Sequence, residues 1–122
     1  MAANQIADKV CATMTDYGQR ASSREKDLVD LVIFAVTQDI DGGALGIAIA
    51  TEARRRKREP IERLVVPSTW GTGYAKLAKP IPHCANHATV DLATALVTSL
   101  VDPALDASAN DKTWSHDALA WT

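Results

Sequence analysis

Ser22-Ser23-Arg24-Glu25-Lys26-Asp27-Leu28-Val29-Asp30-Leu31-Val32-Ile33-Phe34-Ala35-Val36 is the stretch whose reading decides the fold. Ser22, followed three residues later by Glu25, fits a capping box, in which hydroxyl and carboxylate each satisfy a backbone N–H that a helix start leaves over. Beyond the cap, apolar positions occupy nearly the whole circumference of a helix, and only Lys26, Asp27 and Asp30 interrupt them. The two acids fall on one side, about 60° apart at helical spacing. The β-branched residues leave a strand open for 31–36, but the cap and the acidic i, i+3 pair favour a helix.

Working outward, Ile6, Val10, Met14 and Tyr17 recur at helical spacing, with Lys9, Thr13 and Asp16 on another face. This predicts a first helix over residues 4–17, stopped by Gly18. Downstream, Asp41-Gly42-Gly43 breaks the chain, and a further helix is expected from Ala44 to Arg58, ended by Pro60. Residues 60–70, with Pro60 and Pro67 around Leu64-Val65-Val66, read as an ordered loop. A short helix follows around Tyr74, Leu77 and Ala78. Another is expected over about 88–101, capped by Asn86 and ended by Asp102-Pro103. The tail pins Trp114 and Trp121 onto the bundle. The expectation is a mainly α fold, one bundle of about five helices spanning residues 1–122 as a single domain.

Composition agrees with packed helices. Apolar residues make up 47% of the 122, but aromatics only 5%, and much of the apolar share is alanine. A net charge of −2 provides no bulk field for nucleic acid or a membrane surface, so such binding would need a local patch. No stretch approaches the ~20 apolar residues of a membrane span. The start, Met1-Ala2-Ala3-Asn4-Gln5, lacks the basic and apolar regions of a signal peptide. With Cys11 and Cys84 far apart, a reducing, cytoplasmic setting is the reading.

Asp27 and Asp30 are the first candidates for chemistry. Carboxylates on an apolar helix need cations, hydrogen-bond donors or a metal. A structural network with Lys26, Arg24 or Lys9 would satisfy them, as would a substrate-binding cation held beside a site. The run Arg54-Arg55-Arg56-Lys57-Arg58 puts five cations at a helix C-terminus. Favourable interaction with the helix dipole is the plainer account of it; a surface for nucleic-acid phosphates is the sharper one. His83-Cys84-Ala85-Asn86-His87 offers only three ligand types within one pentapeptide, short of the two separated pairs of a structural zinc site, so no metal site is expected.

Ala7-Asp8-Lys9 and Arg24-Glu25-Lys26-Asp27-Leu28-Val29-Asp30-Leu31 resemble two motifs of the AbiEii/AbiGii-type nucleotidyltransferase toxins, an ADK helix followed by an (R)xxKDLxDL helix. Arg58-Glu59-Pro60, the turn from Pro67 to Trp70, Tyr74 with Leu77-Ala78, Val101-Asp102-Pro103 and a closing Trp are also similar, so the likeness covers most of the chain. The resemblance implies the helical C-terminal half of a toxin–antitoxin or phage-defence enzyme that transfers nucleotides from NTP, in some cases onto tRNA. It implies that Lys9 contacts the nucleotide phosphates, that Asp27 is the second catalytic residue, and that Asp30 is a second acid of more structural role. Mg²⁺ and NTP are implied for a complete enzyme, with an N-terminal transferase domain, tRNA and an antitoxin as partners. No Gly-Ser element followed by an Asp-x-Asp pair occurs in the 122 residues. The chain alone is therefore expected to bind no cofactor and to be inactive. Two other readings stand beside this one. The first is a non-enzymatic RNA- or protein-binding module using Arg54 to Arg58. The second is an interaction protein that buries an apolar face in a homo-oligomer.

Overall fold

The computed structural model describes residues 2–14, 25–66 and 70–122. Within these, the chain is mainly helical. Its elements are α1 (Ala2–Thr13), α2 (Glu25–Thr37), β1 (Ile40–Asp41), α3 (Gly42–Arg55), α4 (Gly71–Ala78), a 3-10 helix over Pro82–His87, α5 (Val90–Leu105), β2 (Thr113–Ser115) and β3 (Ala120–Trp121).

Helix α2 is the hub. A helix that is apolar all round can only be stable with neighbours on every side. α2 accordingly packs on α1, α4, α5 and the 3-10 helix, burying Leu28, Val29, Leu31, Val32 and Ala35. Residues 31–36 are helical, not strand. The expected cap residues Ser22 and Ser23, and the expected stop at Gly18, lie outside the described residues. α1 lies across α2 and α3 with Ile6, Ala7, Val10 and Cys11 inward. It begins at Ala2 rather than residue 4. Thr13, expected on the polar face, is 1% exposed.

Helix α3 differs from expectation at both ends. Asp41, in extended conformation, accepts a hydrogen bond from Ala44 N at 2.8 Å and caps the helix directly, so Gly42 and Gly43 form its first turn instead of a break. Gly42 is needed there, because a Cβ would run into the Ala109 carbonyl. At the other end α3 stops at Arg55, not Arg58. Lys57 takes a left-handed φ of 57°, while Lys57 N donates to Arg54 O and Arg58 N to Ala53 O, both at 3.0 Å. That is a Schellman closure with lysine where glycine is usual.

Helix α5 is capped by Thr89, whose hydroxyl accepts from Leu92 N at 3.3 Å. Asn86, the expected cap, sits inside the 3-10 helix. Nor does Pro103 end α5, which continues to Leu105. Proline removes the N–H that would reach the carbonyl four residues back, here Ser99. The indole N–H of Trp121 donates to Ser99 O at 3.0 Å instead, so the freed acceptor is satisfied from outside the helix.

The tail forms strands that hydrophobic periodicity does not announce, because each is only two or three residues long. The antiparallel order is β1-β2-β3, with Ile40 opposite Trp114 and Trp114 opposite Trp121. Trp114 is fully buried and donates to Ala35 O at 2.8 Å, one of the orphan carbonyls in the last turn of α2. Its ring meets that of Trp121 edge-on, with centroids 5.7 Å apart. Among the described residues no helix is long and apolar enough to cross a membrane.

Candidate functional site

Lys9 and the two acids of α2 come together at the junction of α1 and α2. With Ile6 and Val10 turned into the core, Lys9 sits at the edge of α1 facing α2. Its ammonium lies 3.4 Å from Asp27 and 3.2 Å from Asp30. Lys26, one turn before Asp30, reaches the same carboxylate at 3.1 Å. The Asp27 side chain is only 3% exposed, against 25% for Lys9. Burial lowers the Lys9 pKa, but hydrogen bonding and charge from Asp30, then Asp27, outweigh it and leave the ammonium above its ordinary value. It is therefore a fixed cation at neutral pH. An ammonium carries three donors. Two acids draw on that capacity, and the side chain stays a quarter exposed.

A second network stands opposite. Arg56 reaches Asp8 at 2.6 Å and Glu52 at 2.7 Å, and Arg55 reaches Glu52 at 2.9 Å. The guanidinium of Arg55, then that of Arg56, holds the Glu52 carboxyl below its ordinary value. Between the two networks lies a cavity of about 670 Å³ where α1, α2 and α3 meet. Asn4, Gln5 and Lys9 line it from α1, Phe34 from α2, and Glu52 and Arg55 from α3. Sequence spacing does not disclose this groove, since α3 joins it from more than forty residues away. The Glu52–Arg55 and Glu52–Arg56 pairs, at i, i+3 and i, i+4, follow a local helical spacing.

The five-cation run is divided between two sides of α3. Arg55 and Arg56 are taken up by carboxylates. The left-handed turn at Lys57 redirects the chain, and Arg54 and Arg58 line a different cavity across α3. Of the run expected to meet phosphates, Arg55 and Arg56 thus face the groove beside α1, whereas Arg54 and Arg58 line the cavity across α3. Arg24 lies outside the described residues. His83 is exposed while Cys84 is buried. Among the described residues no three His, Cys, Asp or Glu side chains gather as metal ligands would.

Comparison with protein-family models, curated proteins and solved structures finds no match. The site must therefore be judged on its donors. The chain's one Asp-x-Asp spacing, Asp39-Ile40-Asp41, is already committed: Asp41 caps α3, and Asp39 holds the His116 ring at 2.6 Å. Asp27 and Asp30 are both engaged by Lys9. These carboxylates do not suit a magnesium pair, which wants several oxygen ligands facing one point. A held ammonium at the lip of a groove suits an anionic ligand.

Proposed function

We propose that these residues form the helical half of a nucleotidyltransferase of the AbiEii/AbiGii kind, with Lys9 contacting the phosphates of a bound NTP. Asp27 and Asp30 position that ammonium. One observation carries the reading: Lys9 meets both acids of the KDLxDL helix while keeping a quarter of its side chain open beside the groove. A lysine serving only as a structural tie needs no open cavity next to it. Metal-assisted attack on the α-phosphate, tRNA as acceptor, and an antitoxin partner belong to this proposal at the level of the whole enzyme, with the magnesium ligands supplied by residues other than these.

The test is nucleotide binding, followed through backbone amide shifts. Millimolar NTP should shift amides of α1 and α2 around Lys9, and Lys9→Met/Asp27→Asn, which keeps the packing, should abolish those shifts. A chain that responds to none of the four NTPs, or a double variant that responds as the parent does, rejects the reading. NTP-dependent labelling of tRNA by this chain alone would overturn the expectation that it is inactive by itself.

A further inference from the structure

On the far side of α3 from the Lys9 groove lies a second, smaller cavity of about 260 Å³. Its apolar wall arises from one stripe of α3, where Gly46, Ile49, Ala50 and Ala53 recur at helical spacing opposite Ile61 and Leu105. Gly46 is required for that arrangement: a Cβ there would come 2.7 Å from the Ala104 carbonyl of α5. Close approach at Gly46 and small residues further along leave a pocket near the helix end.

The charged lining is Arg54 and Arg58. Both differ from their neighbours Arg55 and Arg56, which hold carboxylates at 2.6–2.9 Å. Arg54 makes only a 3.4 Å contact to the Thr51 hydroxyl. Arg58 reaches the Met14 and Glu59 carbonyls at 3.4 and 3.3 Å. Among the described residues neither has a carboxylate partner. The C-termini of α3 and α5 each contribute about half a negative charge nearby, so the two guanidinium charges leave the site net positive.

We propose that this cavity binds a small organic acid, with an apolar body against Ala50, Pro60 and Leu105 and a carboxylate held by Arg54 and Arg58. At about 30 Å³ per water-sized group, the space takes roughly nine heavy atoms. That matches a medium-chain or monocyclic acid. A guanidinium fork is the natural partner for a planar carboxylate. Bare phosphate would leave the apolar wall unfilled, and a neutral alcohol would leave the arginines unused. The site is independent of the one around Lys9.

Calorimetric titration of the full chain with octanoate, octanol, acetate and inorganic phosphate tests this. Octanoate should saturate at submillimolar concentration, and the other three should bind at least about tenfold more weakly, the worth of one charge-assisted contact or of the lost apolar body. Arg54→Gln/Arg58→Gln should weaken octanoate about tenfold or more and leave octanol unchanged. Ala50→Leu should block octanoate by filling the space. Octanoate that fails to saturate by about 10 mM, or octanol, acetate or phosphate binding as well as octanoate, overturns the proposal. So does full octanoate affinity in an arginine variant whose thermal melt matches the parent.

Discussion

Replacing Lys9 with methionine keeps the stem of the side chain and deletes its charge, leaving the Asp27 carboxylate without that cation in a setting where its side chain is 3% exposed. Breaking a fully buried ion pair costs about 3–5 kcal/mol, whereas a solvated pair contributes about 0–1 kcal/mol. One end of this pair is sealed and the other a quarter open, so Lys9→Met should lose about 2–3 kcal/mol, between those limits. With a urea dependence of about 1–3 kcal/mol per molar, the unfolding midpoint should fall by roughly 1–2 M. The decisive comparison is Lys9→Met/Asp27→Asn. Removing both charges cancels most of the desolvation problem, so the double variant should recover to within about 1 kcal/mol of the parent and give a coupling of at least ~1.5 kcal/mol. Urea melts of the four proteins, followed by far-UV circular dichroism, measure this. A single variant that loses less than about 0.5 kcal/mol, or a double variant whose loss equals the sum of the singles, would show that the contact does not anchor α1 to α2.

Three further outcomes follow from other parts of the molecule. Lys57 holds a left-handed conformation at the end of α3, so Lys57→Gly should raise stability by about 1 kcal/mol, read from the same urea midpoint; a decrease would mean the lysine side chain contributes more than its backbone strain costs. Gly46→Ala would place a methyl group 2.7 Å from the Ala104 carbonyl and should cost about 1–3 kcal/mol by overpacking, while Gly71→Ala, whose Cβ would meet Val90 at an ordinary 3.8 Å, should not destabilise; equal effects at the two sites would refute the close approach of α3 and α5. The pair of His116 and Asp39 predicts a pH window. Asp39 raises the His116 pKa above its ordinary 6.5, so that stabilisation is complete below 6.5 and fades as pH rises through the raised value. Hydrogen bonds from His116 lower Asp39 below 3.8, so its share is present above 3.8 and disappears as pH falls through the lowered value. His116→Gln should flatten the upper limb of a stability-against-pH curve and keep most of the lower one, because the His116 backbone N–H still donates to Asp39 at 3.0 Å; an unaltered upper limb would remove the imidazole as its cause.

The Lys9 groove was half legible in the residues. Two acids at i, i+3 on an apolar helix announce that a cation must meet them, and Lys26 at i, i+4 from Asp30 is a local partner visible in sequence. The other half came from α3. No local rule links Arg56 to Asp8, yet the two meet at 2.6 Å and tie α3 to α1 beside the groove that Asp8 lines. The fate of the arginine run was equally hidden, because Asp8 reaches Arg56 from another helix and the left-handed turn at Lys57 redirects the chain before Arg58.

Sequence by itself determined that the chain is helical and which helix lies at its centre. Apolar residues around most of α2 require neighbours on those sides, apart from the charged edge of Lys26 and Asp30, and periodicity is a local property carried by neighbouring residues. Only tertiary structure decided where helices end and what closes the tail. Pro103 stays within α5 because Trp121 satisfies the carbonyl that proline abandons, and Trp114 caps an orphan carbonyl of α2 from 79 residues away. Such terminations depend on which distant donor arrives to satisfy a backbone group, and that is fixed when the chain packs.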